Sequence, residues 1–476
     1  MTENGSNKVR PEPGSASKVL TDGRSVKPPG EGPAPGASLG ESQPPGEGAP
    51  RRCGRNVSVE GPAEDTPQQA PGDGGALDTH ADHSSSKRRS RYQSGRKRRY
   101  ELRRTLWQIT KHRRCAHCGR SRVDSDKPYR VKVRQGEDGP VAGLDNIQTC
   151  GSPWACPVCA AKTRQERAEE IARVASRHLE DGGGLLYWTG TLRHHQGQSL
   201  SELWDAMKDG WSRGVINGSS WVRDREKYGI IDYVQSPDVT VGPNGWHPHL
   251  PVLLFAEEPL SDDDREELGD RMFSRWARAV ERSGLDRPLR MNCPLEAARS
   301  DEAVSRYLSR AVLKDGGVDV GFELQRHDRK RASDRPGGKR GHMTPFELLG
   351  ELHQWPEDRR PDGEPSELLK LWWEYEEATS DRKSIHWSGD VNGLRGEVQA
   401  EIEAEEEEED DGDLVAEIGP PAYQAMASEP GGLAGLLECA EGLREESIGS
   451  YIRRFRRKAW EKSRKSRVVA RRTGYP

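Results

Sequence analysis

The stretch Gly242-Pro-Asn-Gly245-Trp-His247-Pro-His249-Leu-Pro-Val-Leu-Leu-Phe255 decides how this chain reads. Pro-Asn between two glycines is turn chemistry, and Trp246–Phe255 behind it is apolar enough for a buried strand. Ile230–Val241, ahead of the turn, has strand character too, so the two segments form an antiparallel hairpin. Closing the turn sets Val241 opposite Trp246, Thr240 opposite His247 and Asp238 opposite His249, with cross-strand Cβ atoms about 5 Å apart. His247 and His249 stand at i and i+2 and point to one face. Two imidazoles and a carboxylate then converge on one patch of sheet, a donor set for a divalent cation that leaves positions for substrate oxygens. Pro248 and Pro251 each remove a ladder donor, which predicts a bulge or an edge position for this strand.

Outward from the hairpin the pattern is mostly helical. Ala160–Leu179 places Ala168, Ile171, Ala172 and Ala175 on one face, and Leu185–Leu192 reads as a strand. Ser199-Leu-Ser-Glu202 is a capping box that opens a helix carrying Leu203, Trp204, Met207 and Trp211. Helices follow over Asp262–Arg282, Asp301–Leu313 and Glu364–Ala378, and Thr344-Pro-Phe-Glu347 is a second capping box with proline at the first helical position. Helices separated from an antiparallel hairpin predict an α+β fold, a central antiparallel sheet with flanking helices.

Five of the eight cysteines (Cys115, Cys118, Cys150, Cys156 and Cys159) fall within 45 residues. Cys115-Ala-His-Cys118 and Cys156-Pro-Val-Cys159 are two CxxC turns. Each can supply two thiolates to a tetrahedral shell, so Cys115, Cys118, Cys156 and Cys159 are the expected ligands of a structural Zn2+, with Cys150 or His117 able to replace one of them.

The 476 residues carry 74 Lys and Arg against 78 Asp and Glu, a formal charge of −4, but the charge is segregated. Residues 87–114 hold thirteen bases and one acid, residues 401–413 ten acids and no base, and residues 451–476 eleven bases and one acid. Basic runs of this kind suit phosphate contacts, here from Arg96, Lys97, Arg98 and Arg99 and from Arg453, Arg454, Arg456 and Arg457. The acidic run reads as a solvated linker. No aromatic residue precedes Tyr92, and residues 1–86 are dominated by Gly, Pro, Ser and acids, so they are expected to be disordered. No apolar run approaches the roughly 18 residues that cross a bilayer, and no apolar leader opens the chain, which argues against a membrane or secreted protein and for a cytoplasmic one.

One further element carries chemistry. Ala303-Val-Ser-Arg-Tyr307-Leu-Ser-Arg310-Ala-Val-Leu-Lys314 has a helical pattern with Tyr307, Arg310 and Lys314 along one side. A tyrosine hydroxyl, with pKa near 10, needs such cations to act as a nucleophile at neutral pH. The same pattern also fits a tyrosine at the rim of a core.

Taken together, these pieces resemble the replication initiator (Rep) proteins of rolling-circle plasmids, within the HUH endonuclease superfamily, over about residues 107–395. Thr189-Gly-Thr-Leu-Arg-His194 resembles the family's first motif, Trp246–Phe255 its paired-histidine strand and Arg306-Tyr-Leu-Ser-Arg310 its tyrosine helix. Cys150–Cys159, Pro345–Leu349 and Trp372–Ser388 are similar to flanking blocks. The resemblance implies an enzyme that nicks one strand of origin DNA. His247 and His249, with Asp238, would hold Mg2+ or Mn2+ on the scissile phosphate. Tyr307 would attack it to leave a 5′-phosphotyrosine and a 3′-OH primer, with Arg310 or Lys314 balancing charge. Host replication helicase and polymerase are the implied partners. Pro251 stands where many relatives have a third histidine, and Ala303 where some place a glutamate. The expected organisation is a disordered tail (1–86), a basic segment (87–114), a zinc module with its following helix (115–180), a nicking domain (181–395), an acidic linker (396–446) and a basic tail (447–476). A mobilisation relaxase or transposase would share the chemistry, and a zinc-ribbon DNA-binding regulator without catalysis would share only the cysteines and basic runs.

Overall fold

The computed structural model describes residues 79–136, 139–298, 342–359, 364–408 and 411–473. They form a mixed α/β fold with two antiparallel sheets, one of six strands and one of three. The larger sheet is built from β3 (Gly184–Thr191), β4 (Ile230–Gln235), β5 (Asp238–Gly242), β6 (Gly245–Ala256), β7 (Leu295–Ala297) and β8 (His386–Trp387), with β6 at its centre. On one side β6 pairs with β3, from Gly184 opposite Ala256 to Thr191 opposite His249. On the other it pairs first with β5 and then with β4.

The expectation that prolines would push this strand to an edge or into a bulge holds at Pro248 and is corrected at Pro251. Pro248 lies beyond the last β3 pair, where β5 is its one neighbour. Pro251 faces the break between β4 and β5, where its carbonyl accepts from the Ser236 amide at 3.1 Å. The segment expected as one strand over Ile230–Val241 is interrupted at Ser236-Pro237, and this break is what admits Pro251 into the central part of the strand.

From Leu250 onward β6 is buried on every residue, because helices cover both faces of the sheet. Leu250, Val252 and Leu254 pack into a tryptophan-rich core with Trp188, Trp211, Trp276 and Trp372. That core is closed by α4 (Leu200–Asp209), α5 (Gly218–Tyr228), α6 (Asp262–Arg282), α7 (Pro345–Gln354) and α8 (Glu367–Thr379). Leu253 and Phe255, on the opposite face, meet Ile171, Val174 and Ala175 of α3 (Pro157–Glu180) and Val398 of α9 (Leu394–Glu408). Both expected capping boxes, at Ser199 and Thr344, are complete.

The smaller sheet, in the order β2-β1-β9, joins β1 (Tyr129–Gly136), β2 (Gly139–Asp145) and β9 (Asp413–Ile418). It packs on α10 (Pro420–Ser428), α11 (Gly432–Ala440) and α12 (Ile448–Thr473) through Tyr129, Val131, Tyr423, Leu436 and Phe455. Residues 396–446 are thus not a linker. Glu405 pairs with Arg173 of α3 at 2.6 Å, Glu401 pairs with Arg177, and the chain then pairs a strand with β1. Glu401 and Glu405, four apart on α9, face Arg177 and Arg173, four apart on α3, while Glu403 and Glu406–Glu408 stay exposed to water.

The basic segments are helices too. Of the 1–86 tail, residues 1–78 lie outside the described residues, and α1 (Thr79–Ile109) begins at Thr79. Leu102, Leu106 and Ile109 of α1 are buried in the tryptophan-rich core, and α12 buries Tyr451, Ile452 and Phe455. Among the described residues no helix is long and apolar enough to cross a membrane.

Candidate functional site

The cysteines converge as a set that differs by one member from the expected one. Cys118, Cys150, Cys156 and Cys159 are buried, with all four sulfurs within 4.8 Å of one another. The Cys118 to Cys156, Cys118 to Cys159 and Cys150 to Cys159 separations are 3.7, 3.6 and 3.6 Å. A tetrahedron of sulfurs about 2.3 Å from zinc has edges of about 3.8 Å, so the thiols stand close to the spacing of a closed structural shell. The residues present fit Zn2+.

Local backbone explains why Cys150 replaces Cys115. Gly119 donates to the Gln148 carbonyl at 2.7 Å and Gln148 to the Ser121 carbonyl at 2.8 Å, a short two-stranded contact that carries Cys150 to Cys118. Cys115 lies one turn back in α2 (Arg113–His117), buried behind the set with its thiol against Cys150. Cys156 is the N-cap of α3 and Cys159 is in its first turn. Contacts from Cys150, Cys156 and Cys159 hold the Cys118 thiol far below its ordinary value. The buried Arg103 guanidinium adds to that field and lies over the Tyr100 ring at 4.5 Å.

The histidine strand is built differently. β5 and β6 pair with Asp238 opposite His249, Thr240 opposite His247 and Val241 opposite Trp246. Alternation along β6 sends Trp246, Pro248 and Leu250 inward and turns His247 and His249 to the face that α3 and α9 cover farther along, at Leu253 and Phe255. Both histidines are half-buried. Asp238 is buried, its Oδ1 accepting from the Val239 amide at 2.8 Å and its Oδ2 3.2 Å from His249 Nε2. Two imidazole nitrogens and a carboxylate oxygen suit a divalent cation by donor chemistry. They are more open than the cysteines, the only described group of three or more such ligands gathered within 4.8 Å.

Two histidines that the sequence reading did not assign to the site adjoin it. His194, three residues past β3, has its ring centroid 4.9 Å from that of His247, and His342 has its centroid 5.9 Å from it. Burial holds His194 below the ordinary imidazole value, against the Asn244 carbonyl and with the help of His342 and His195. His342 arrives beside the site because Met343 bridges to Val241, with backbone hydrogen bonds of 2.7 and 2.9 Å. For His194 the signals were its place at the end of the Thr189–His194 block and its pairing with His195 just past a strand. His342, remote in sequence, had none.

Tyr307, Arg310 and Lys314 lie outside the described residues. The basic residues separate into two kinds. Arg96 is buried and pairs with Glu441, Nη2 to Oε2 at 2.7 Å, so it is an interior ion pair and its expected role as a phosphate contact is corrected. Arg98 packs at Gly350, Lys97 is exposed, and Arg99 is half-buried. On α12, Arg453, Arg456 and Arg457 face outward, while Arg454 pairs with Glu446 at 2.9 Å and lies over Tyr451.

Fold and site together define a mixed α/β protein with antiparallel sheets, a buried four-cysteine group able to hold zinc, and a central strand carrying two histidines beside an aspartate. In sequence it is 27% identical over 315 residues to the "Protein rep" of Streptomyces lividans, covering 54% of this chain and 66% of that protein. It is 26% identical over 282 residues to the "Neomycin resistance protein" of Streptomyces cyanogenus, covering 48% of this chain and 64% of that one. The chain thus spans just under two thirds of the length of either relative. No family model matches it, and no solved structure does.

Proposed function

We propose that this protein is a plasmid replication initiator that nicks and rejoins one strand of origin DNA with Tyr307 as nucleophile and a divalent cation at His247, His249 and Asp238. The observation that carries the reading is the pairing of β5 with β6, which gathers these three side chains on the open end of one sheet face. Similarity to a protein named for replication, "Protein rep", supports it.

In this reading Mg2+ or Mn2+, when bound, supplies Lewis-acid polarisation of the scissile phosphate. His247, His249 and Asp238 position that phosphate. Tyr307 Oη bonds to phosphorus as the P–O3′ bond breaks, the phenol giving up a proton and the departing 3′ oxygen gaining one. Arg310 or Lys314 offsets the charge that builds between them. Zn2+ at the cysteines is structural, and Arg453, Arg456 and Arg457, with Lys97, add nonspecific contacts to DNA phosphates. Host helicase would then unwind the duplex and host polymerase extend the 3′-OH.

The test is to incubate the full chain with Mn2+ and supercoiled plasmid or single-stranded origin DNA and look for a covalent protein–DNA adduct. Wild type forms the adduct and Tyr307→Phe does not. A wild-type protein that binds DNA but never forms one sinks the reading and leaves a zinc-containing DNA-binding protein. An adduct from Tyr307→Phe assigns the nucleophile elsewhere.

A further inference from the structure

His194 Nδ1 lies 3.1 Å from the main-chain carbonyl oxygen of Asn244, and His194 Nε2 lies 2.8 Å from His247 Nδ1. A carbonyl oxygen only accepts, so His194 Nδ1 carries the hydrogen of the first bond. In a neutral imidazole the lone pair is then on Nε2, which makes His247 Nδ1 the donor of the second. We propose that His194 is a positioning residue of the metal site, fixing His247 as the Nδ1–H tautomer with its ligand lone pair on Nε2. The inference rests on the reading of His247 as a metal ligand.

The geometry ties three pieces of backbone to that one lone pair. Asn244 sits at the tip of the β5–β6 turn, His247 is the third residue of β6, and His194 belongs to the loop leaving β3. Gly245 closes the turn beside that loop with a φ of +85°, the left-handed region that favours glycine. A ligating histidine whose second nitrogen is bonded has its ring orientation and tautomer set before the cation arrives, and loss of such a partner typically costs about 10- to 100-fold in metal affinity.

Two variants in the full chain test this, with zinc content and circular dichroism recorded for each. His194→Phe keeps a ring and removes the acceptor. His194→Gln offers a carboxamide oxygen to His247 and an amide hydrogen to Asn244. Mn2+ titration, followed by the paramagnetic resonance of the free ion, is expected to show affinity about 10- to 100-fold weaker for His194→Phe and within a few fold of wild type for His194→Gln. In the metal-free protein, the long-range proton–nitrogen spectrum of His247, assigned by its loss in His247→Ala, is expected to read as the Nδ1–H tautomer. A His194→Phe protein that binds Mn2+ like wild type, a His194→Gln protein as weak as His194→Phe, or an Nε2–H His247 each overturns the proposal. Wild type that binds Mn2+ in this pattern but forms no DNA adduct leaves His194 in its role and removes the nicking reading. An adduct-forming wild type with both variants at full Mn2+ affinity removes the role of His194 alone.

Discussion

Cys118, Cys150, Cys156 and Cys159 close on one another inside the core, where a helix N-terminus and a short two-stranded contact bring them together. His247, His249 and Asp238 instead share the open end of a sheet face, half-covered, with one histidine held by a loop. The difference is between a closed donor set and an open one. Four thiols would leave a cation no open position, which suits an architectural metal. An incomplete nitrogen and oxygen set leaves room for another ligand.

The largest expected effect breaks the closed side. Cys118→Ser or Cys150→Ser should lose zinc and much of the stability of the surrounding elements, since structural zinc contributes on the order of 10 kcal/mol of binding free energy to folding. Cys115→Ser should keep its zinc. Metal content by mass spectrometry with calorimetric unfolding checks both, and zinc loss from Cys115→Ser together with retention in Cys150→Ser would restore the ligand set expected from the CxxC spacing.

The open side should respond in the reverse way. His247→Ala should lower Mn2+-dependent adduct formation by about a thousandfold, the several kcal/mol that a catalytic cation supplies. Zinc content and thermal unfolding should stay near wild type. Unfolding as severe as that of Cys150→Ser would end the contrast between the two sites.

A smaller effect is expected at the buried pair of Arg96 with Glu441, whose Oε1 also accepts from the Ala142 amide at 2.8 Å. It ties α1 to the smaller sheet. Arg96→Ala should cost about 3–5 kcal/mol in urea unfolding, because it strands a buried carboxylate, and Arg96→Met combined with Glu441→Leu should recover most of that. An unchanged urea midpoint for Arg96→Ala would return Arg96 to the DNA-contact group.

Smaller effects sharpen the picture at the surface. Ser199→Ala removes the oxygen that accepts from the Glu202 amide and should cost about 1 kcal/mol in thermal unfolding, with no change in either metal. Arg456→Gln with Arg457→Gln should flatten the log–log salt dependence of duplex binding by about 1.8, two phosphate contacts, and leave zinc content unchanged. No change in slope would place DNA on another face.

Much of the larger sheet was legible because its signals are local. The Gly242–Gly245 turn sets the register of Asp238 with His249, both capping boxes mark helix starts, and Asp262–Arg282 is helical over its whole predicted length. Pro248 sits where β6 has a single neighbour, but Pro251 misled, because a central strand can hold a proline where a neighbouring strand breaks, and that break is visible only once β4 and β5 are seen on the same side of β6. The charge blocks misled for a related reason. Single members of such a run look solvated until their partners are known, and Glu441 and Arg173 are far from Arg96 and Glu405 in sequence.

The amino-acid sequence by itself determined what nearest neighbours along the chain can settle: the turn, the alternation that puts both histidines on one face, the helix caps and the two thiols at the start of α3. Only the tertiary structure decided that Cys150 and not Cys115 completes the thiol set, that His194 hydrogen-bonds His247, and that Arg96 is interior. Each of these depends on segments brought together by burial of the tryptophan and tyrosine cores. That burial is a sum over the whole chain, and no short spacing encodes it.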